Sequence, residues 1–127
     1  MTALLAVNGT LMRGFALNGN MIAAGAVFVR ETTTAPRYRL WSVGDRHPAM
    51  LRVGSGGAGI AVEIWAVPPE GLAAILLKEP PGLCIGKVEL ADGQEVLGVL
   101  AEPFLVEGQP EITAHGGWRA YIAVKRA

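Results

Sequence analysis

Residues 60–90 read IAVEIWAVPPEGLAAILLKEPPGLCIGKVEL, and the fold turns on this stretch. Residues 60–67 are apolar on both faces except for Glu63, the pattern of a central strand covered on both sides. Pro68-Pro69-Glu70 then opens a helix, with proline in the first turn and an acid at the positive end. Leu72, Ile75 and Leu76 fall at helical spacing and give it an apolar face. Pro80-Pro81 ends it. Residues 83–90 and Glu95–Ala101 read as two strands around Asp92-Gly93, a strong hairpin signal.

Working outward, Ala3–Val7 is a short buried strand that stops at a turn, Asn8-Gly9-Thr10-Leu11. Asn18-Gly19-Asn20 reads as a second turn, and residues 21–24 as the start of a short helix. Residues 26–32 and Tyr38–Val43 read as strands. Pro36 separates them, because proline sits badly inside a central strand. Residues 44–48 form a polar loop and residues 50–53 another strand. Residues 54–59 carry four glycines and read as a flexible turn. Trp118, Tyr121 and Ile122 at i, i+3 and i+4 favour a terminal helix over a strand across residues 118–124. Many strands with few helices predict an α+β domain on a small, mixed, largely antiparallel, barrel-like sheet flanked by helices.

Composition narrows the class. A chain of 127 residues fits one domain with a core large enough to need no staples. At 51% hydrophobic and 17% charged residues, disorder is excluded. A formal net charge of +0 leaves no electrostatic footprint for nucleic acid or an anionic membrane, so small molecules or other proteins are the expected partners. Cys84 is the single cysteine, which rules out an internal disulfide and fits a reducing compartment. The first residues lack a basic region, and no apolar run approaches the ~20 residues of a membrane span. These features predict a soluble, cytoplasmic protein.

Five places carry candidate chemistry. Glu79 follows the Leu-rich helix at its negative end, where a carboxyl pKa should rise, as suits a general acid or base; the alternative is a solvated carboxylate offset by Lys78. Glu63, on a buried strand, must be paired, hydrogen-bonded or protonated, with Arg39 or Arg46 as candidate partners in a structural ion pair. The Asn8–Leu11 turn at a strand end exposes backbone N–H groups that suit a carboxylate or an oxyanion, although ordinary turns look the same. In Asp45-Arg46-His47-Pro48, Arg46 suits a substrate carboxylate and His47 a proton transfer, against the alternative of a solvated turn. His115-Gly116-Gly117-Trp118-Arg119 reads as a helix start with Trp118 in the core. Two distant histidines and one cysteine give no metal-ligand spacing, and no phosphate loop or serine elbow is present, so no cofactor is expected. Cys84 between Leu83 and Ile85 reads as a core residue.

The order of these features resembles the gamma-glutamylcyclotransferase-like family: a strand ending in Asn8-Gly9-Thr10-Leu11, Glu63, a helix running to Glu79, a hairpin, then Gly117-Trp118-Arg119-x-Tyr121. The subgroup it resembles most is the C-terminal domain of allophanate hydrolases. That likeness runs through Leu17-Asn18-Gly19, Pro36-x-Tyr38-x-Leu40, Pro48-x-Met50-x-Arg52, Glu79-Pro80-Pro81-Gly82-Leu83, Gly86-x-Val88, Gly98 and Gly116-Gly117-Trp118-Arg119-x-Tyr121. The resemblance implies a small mixed barrel flanked by helices, Asn8, Gly9, Thr10 and Leu11 as the substrate-binding loop, and Glu79 as the catalytic glutamate. It implies a small carboxylated amide or urea derivative as ligand, processed beside a separate amidase. Two other functions fit the same resemblance: a cyclotransferase releasing 5-oxoproline, and a non-catalytic module that binds a metabolite or assists assembly. The chain departs from the family pattern at Asn8, where tyrosine is usual, at Thr10, where the subgroup often has histidine, at Leu76-Leu77-Lys78, which lacks an acidic residue, and at the two prolines after Glu79.

Overall fold

A computed structural model describes residues 1–126. Seven strands lie among them: β1 (Ala3–Val7), β2 (Val27–Thr33), β3 (Tyr38–Val43), β4 (His47–Arg52), β5 (Ala61–Val67), β6 (Leu83–Glu89) and β7 (Glu95–Ala101). The α-helices are α1 (Asn18–Ala23), α2 (Pro69–Leu77) and α3 (Trp118–Lys125), and Pro103–Val106 and Thr113–His115 are 3₁₀ turns. Five strands form one mixed sheet in the order β2-β5-β1-β7-β6, antiparallel except for the β1–β7 pair. Strands β3 and β4 form a separate hairpin.

The apolar run that suggested a central strand is one. β5 lies between β2 and β1, with Ile64 and Val67 fully buried and Trp65 nearly so. α2 begins at Pro69, and α1 packs against its start so closely that a Cβ on Gly71 would stand 2.4 Å from the Ala24 carbonyl oxygen. The Asp92-Gly93 hairpin and the terminal helix also form as expected, and Trp118 is buried at the start of α3.

Three expectations change. The sheet does not close into a barrel. Its edges meet only at the Thr34–Leu90 bridge, where Ala35 N–H donates to Glu89 O at 2.9 Å and Ala91 N–H to Thr33 O at 2.9 Å. Pro36 and the Asp92-Gly93 turn stop β2 and β6 just beyond that point, so no longer ladder forms. Asn18-Gly19-Asn20 is the first turn of α1 rather than a free turn, anchored by Asn18 Nδ2 donating to Leu11 O at 2.9 Å. β4 starts at His47, because the turn before it is tight. Gly44 and Asp45 are both left-handed, at φ 58° and 56°, and Ser42 Oγ donates to Asp45 Oδ1 at 2.6 Å.

Candidate functional site

The loop after β1 is held open by its neighbours. Met12 N–H donates to Gly9 O at 3.0 Å and Leu17 N–H to Thr10 O at 3.0 Å, so the loop's carbonyls are engaged. The N–H groups of Gly9, Thr10 and Leu11 donate to no acceptor among the described residues. Three successive free donors at a strand end are groups of the kind that can receive an anion. Asn8, 5% exposed, ties this loop to β7 by donating Nδ2–H to Val99 O at 3.0 Å. That role is structural.

The β3–β4 hairpin closes over the loop. Pro48 sits against Gly9 so tightly that a Cβ there would lie 2.4 Å from Pro48 Cδ. Only glycine permits that approach. His47 stands beside it, with Nδ1 3.0 Å from Pro48 O. A carbonyl oxygen can only accept, so Nδ1 carries the proton and Nε2 is the basic nitrogen of the neutral ring.

Glu79 completes the site. α2 stops at Leu77, as Pro80 has no N–H to continue the helical hydrogen bonds. Glu79 therefore sits two residues beyond the helix, half-buried. Its carboxyl has no hydrogen bond or ion pair among the described residues, and Lys78 does not reach it. Burial pushes its pKa above the usual carboxylate range. The direction matches the expectation, and its cause is the desolvation of the carboxyl.

Asn8, Gly9, Thr10, Leu11, His47 and Glu79 line one small cavity together with Val7, Pro48, Leu83 and Val99. The space a water's centre can occupy there is about 20 Å³, room for about one water. Val7, Leu83 and Val99 make its apolar wall. Their sequence gave no functional signal, because apolar strand residues look like core. Arg46 does not line the cavity; it is exposed, and its guanidinium folds back over Gly44 in its own turn.

Glu63 belongs elsewhere. It is 2% exposed and pairs with Arg13 (Nε–Oε2 3.1 Å) and Arg119 (Nη2–Oε2 3.1 Å), in place of the expected Arg39 or Arg46. Arg39 is taken by Glu111. Arg13 N–H and Trp65 Nε1–H satisfy the other carboxylate oxygen, at 3.0 and 3.2 Å. Strand register sets Glu31 opposite Glu63, and Arg13 bridges both acids. The cluster is a structural tie joining β5, β2, the loop after β1 and α3. Cys84 is half-buried rather than core, and burial and the Glu102 carboxylate raise its thiol pKa, which leaves it a poor nucleophile at neutral pH.

A family model for the allophanate hydrolase C-terminal domain matches residues 3–123. A urea amidolyase of Saccharomyces cerevisiae is 31% identical over 126 residues, covering 93% of this chain and 7% of its own length. The crystal structure of a uropathogenic E. coli-specific protein superposes with a TM-score of 0.95 at 61% identity, covering 97% of both chains. Kluyveromyces lactis allophanate hydrolase superposes with a TM-score of 0.91 at 29% identity, covering 97% of this chain and 21% of that one. The chain thus spans about 7% of the length of the curated relatives it matches. An AIG2-like protein of Mus musculus shares the fold, with a TM-score of 0.61 at 21% identity over 83% of this chain and 82% of that one.

Proposed function

The chain belongs to the family of allophanate hydrolase C-terminal domains, and from that premise we propose that it acts on a small carboxylated amide or urea derivative, beside an amidase. One observation carries this reading: the free N–H groups of Gly9, Thr10 and Leu11 share a cavity with a carboxyl that has no partner and a raised pKa. The N–H groups suit the substrate's carboxylate or an oxyanion developing on it. Glu79, protonated more readily than an ordinary carboxyl, suits the delivery of a proton to a nitrogen as a carboxylated C–N bond breaks and carbon dioxide leaves. His47 Nε2 suits the reprotonation of Glu79 by a proton from solvent after each turnover. In relatives named urea amidolyase and allophanate hydrolase the matching segment is part of a much longer chain, which supports an amidase-type neighbour.

A second reading, a cyclotransferase acting on gamma-glutamyl amines, is favoured by the place of Glu79 after a Leu-rich helix. Asn8, held by its bond to Val99, and the two prolines after Glu79 count against it.

Two substrate panels test the choice, one of gamma-glutamyl amines and one of allophanate and related carboxylated ureas, each with and without an amidase. The proposal expects carbon dioxide or ammonia release from the second panel, lost in Glu79→Gln. Release of 5-oxoproline from the first panel overturns it in favour of the cyclotransferase. Saturable binding with no turnover in either panel overturns the catalytic reading and leaves a binding module.

A further inference from the structure

A larger cavity, of about 590 Å³, lies between β2, β5 and the start of α3, but its carboxylates and its guanidinium, those of Glu31, Glu63 and Arg119, are already in ion pairs. The smaller cavity borders a polar atom that has no partner. Asn8 lines it and is 5% exposed. Its Nδ2 spends both hydrogens, on Val99 O at 3.0 Å and on Met50 Sδ at 3.9 Å. A carbonyl oxygen and a thioether can only accept, so the nitrogen is fixed on that side of the amide and Oδ1 is turned to the other. Oδ1 accepts no hydrogen bond among the described residues. It is not sealed in either: the side-chain atoms there that are both sealed and without a hydrogen bond are Glu89 Oε2 and Trp118 Nε1. Oδ1 therefore meets open space, and for a side chain so buried that space is the cavity.

The loop beside it offers only donors, the free N–H groups of Gly9, Thr10 and Leu11. A carboxylate answers them and leaves Oδ1 unanswered, and a buried acceptor without a donor weakens binding. Thr10 and His47 carry acceptors too, but both are half-buried and reach water. Asn8 Oδ1 depends on what enters the cavity. The space there, about 20 Å³, has room for about one water, which is the size of an amino group.

We propose that Asn8 determines specificity at this site, its Oδ1 accepting an N–H from the ligand while the Gly9–Leu11 amides receive the carboxylate. The assignment rests on the function proposed above and narrows it: the site selects acids that carry a primary amide or urea N–H over acids of the same shape that carry none.

Oxamate and pyruvate are nearly isosteric acids that differ by an amino group against a methyl group. The test titrates the full chain with each and follows the backbone amides of residues 9–11 and the side-chain carbonyl carbon of Asn8 by NMR. Oxamate should bind about tenfold more tightly than pyruvate, and it should move the Asn8 carbonyl carbon where pyruvate does not. Asn8→Leu should bind the two acids alike. Thr10→Val and His47→Ala should keep the preference for oxamate, whatever their effect on affinity. Asn8→Leu also loses the bond to Val99, so if it fails to fold, the two acids on the parent chain decide. The proposal is overturned if both acids move residues 9–11 with equal affinity, if the Asn8 carbonyl carbon stays still at saturating oxamate, if Asn8→Leu keeps the preference, or if Thr10→Val or His47→Ala abolishes it. If neither acid moves residues 9–11, the function proposed above falls with it, which tells the two failures apart.

Discussion

Gly9 is where conformation and function meet. Its place under Pro48 leaves no room for a methyl group. Gly9→Ala should cost about 1–3 kcal/mol in urea denaturation, the usual price of overpacking, and should weaken carboxylate binding further by pushing the loop and hairpin apart. Glu79 gives the complementary case. Glu79→Gln keeps the shape and removes the proton, so turnover should fall about 10²–10⁴-fold with the fold intact. Its effect on stability has a definite sign. The folded carboxyl binds its proton more tightly than the unfolded one, so stability declines as pH rises from the unfolded-chain value through the raised folded value. The glutamine variant lacks that decline. Denaturation midpoints should therefore favour the variant above that window and converge below it. Both residues were visible in the sequence, Gly9 in a turn at a strand end and Glu79 just before a Pro-Pro break. Pro48 as the lid on Gly9 was not, because nothing local in either segment shows that they touch.

The β3–β4 hairpin brings His47 and Pro48 to the loop, yet it is not hydrogen-bonded into the main sheet. Backbone bonds from β3 to residues 110–112 (Ser42 N–H to Pro110 O at 2.9 Å, Ile112 N–H to Leu40 O at 2.7 Å) and side chains hold it instead. Tyr121 Oη donates to Asp45 Oδ1 at 2.6 Å, and Ser42 and Lys125 add to the tie. The Ser42 hydroxyl, and then the Tyr121 hydroxyl, hold the Asp45 carboxyl below the usual range. That contribution is present above the ordinary carboxylate pKa and is lost as pH falls through the depressed value. Tyr121→Phe should lower the thermal midpoint at neutral pH, with the difference from the parent chain vanishing in acid. The Glu63 cluster is a second tie of this kind, and it is buried. Glu63→Gln should cost about 3 kcal/mol in chemical denaturation, the low end for a broken buried pair because both arginines stay half-exposed. Strands with clear apolar patterns, such as Tyr38–Val43, and the proline-opened α2 were legible. The early start of β4 was not, because the Ser42–Asp45 bond that tightens its turn is a side-chain effect. The partners of Glu63 were hidden too, since the packing of the loop after β1 and of α3 against β5, not sequence distance, brings Arg13 and Arg119 to it.

The two cavities lie on different parts of one fold. The sheet curls until its edges touch at Thr34 and Leu90 but stays open, so the small mixed barrel that the resemblance implied is an open sheet. The smaller cavity is assembled from four separated segments, the end of β1 with its loop, the start of β4, the stretch from Glu79 to Leu83 and β7 at Val99. No single motif could reveal that convergence; the resemblance named the loop and Glu79, the polar turn named His47, and the fold brought them together with Val99. The account stands on the claim that the Gly9–Leu11 amides receive a carboxylate beside Glu79. An amide NMR titration with oxamate, a small carboxylated amide, tests it most directly. Saturable shifts at the Gly9, Thr10 and Leu11 amides, strongly reduced in Gly9→Ala, are the predicted result. Oxamate that leaves these three amides unmoved at saturating concentration would contradict it.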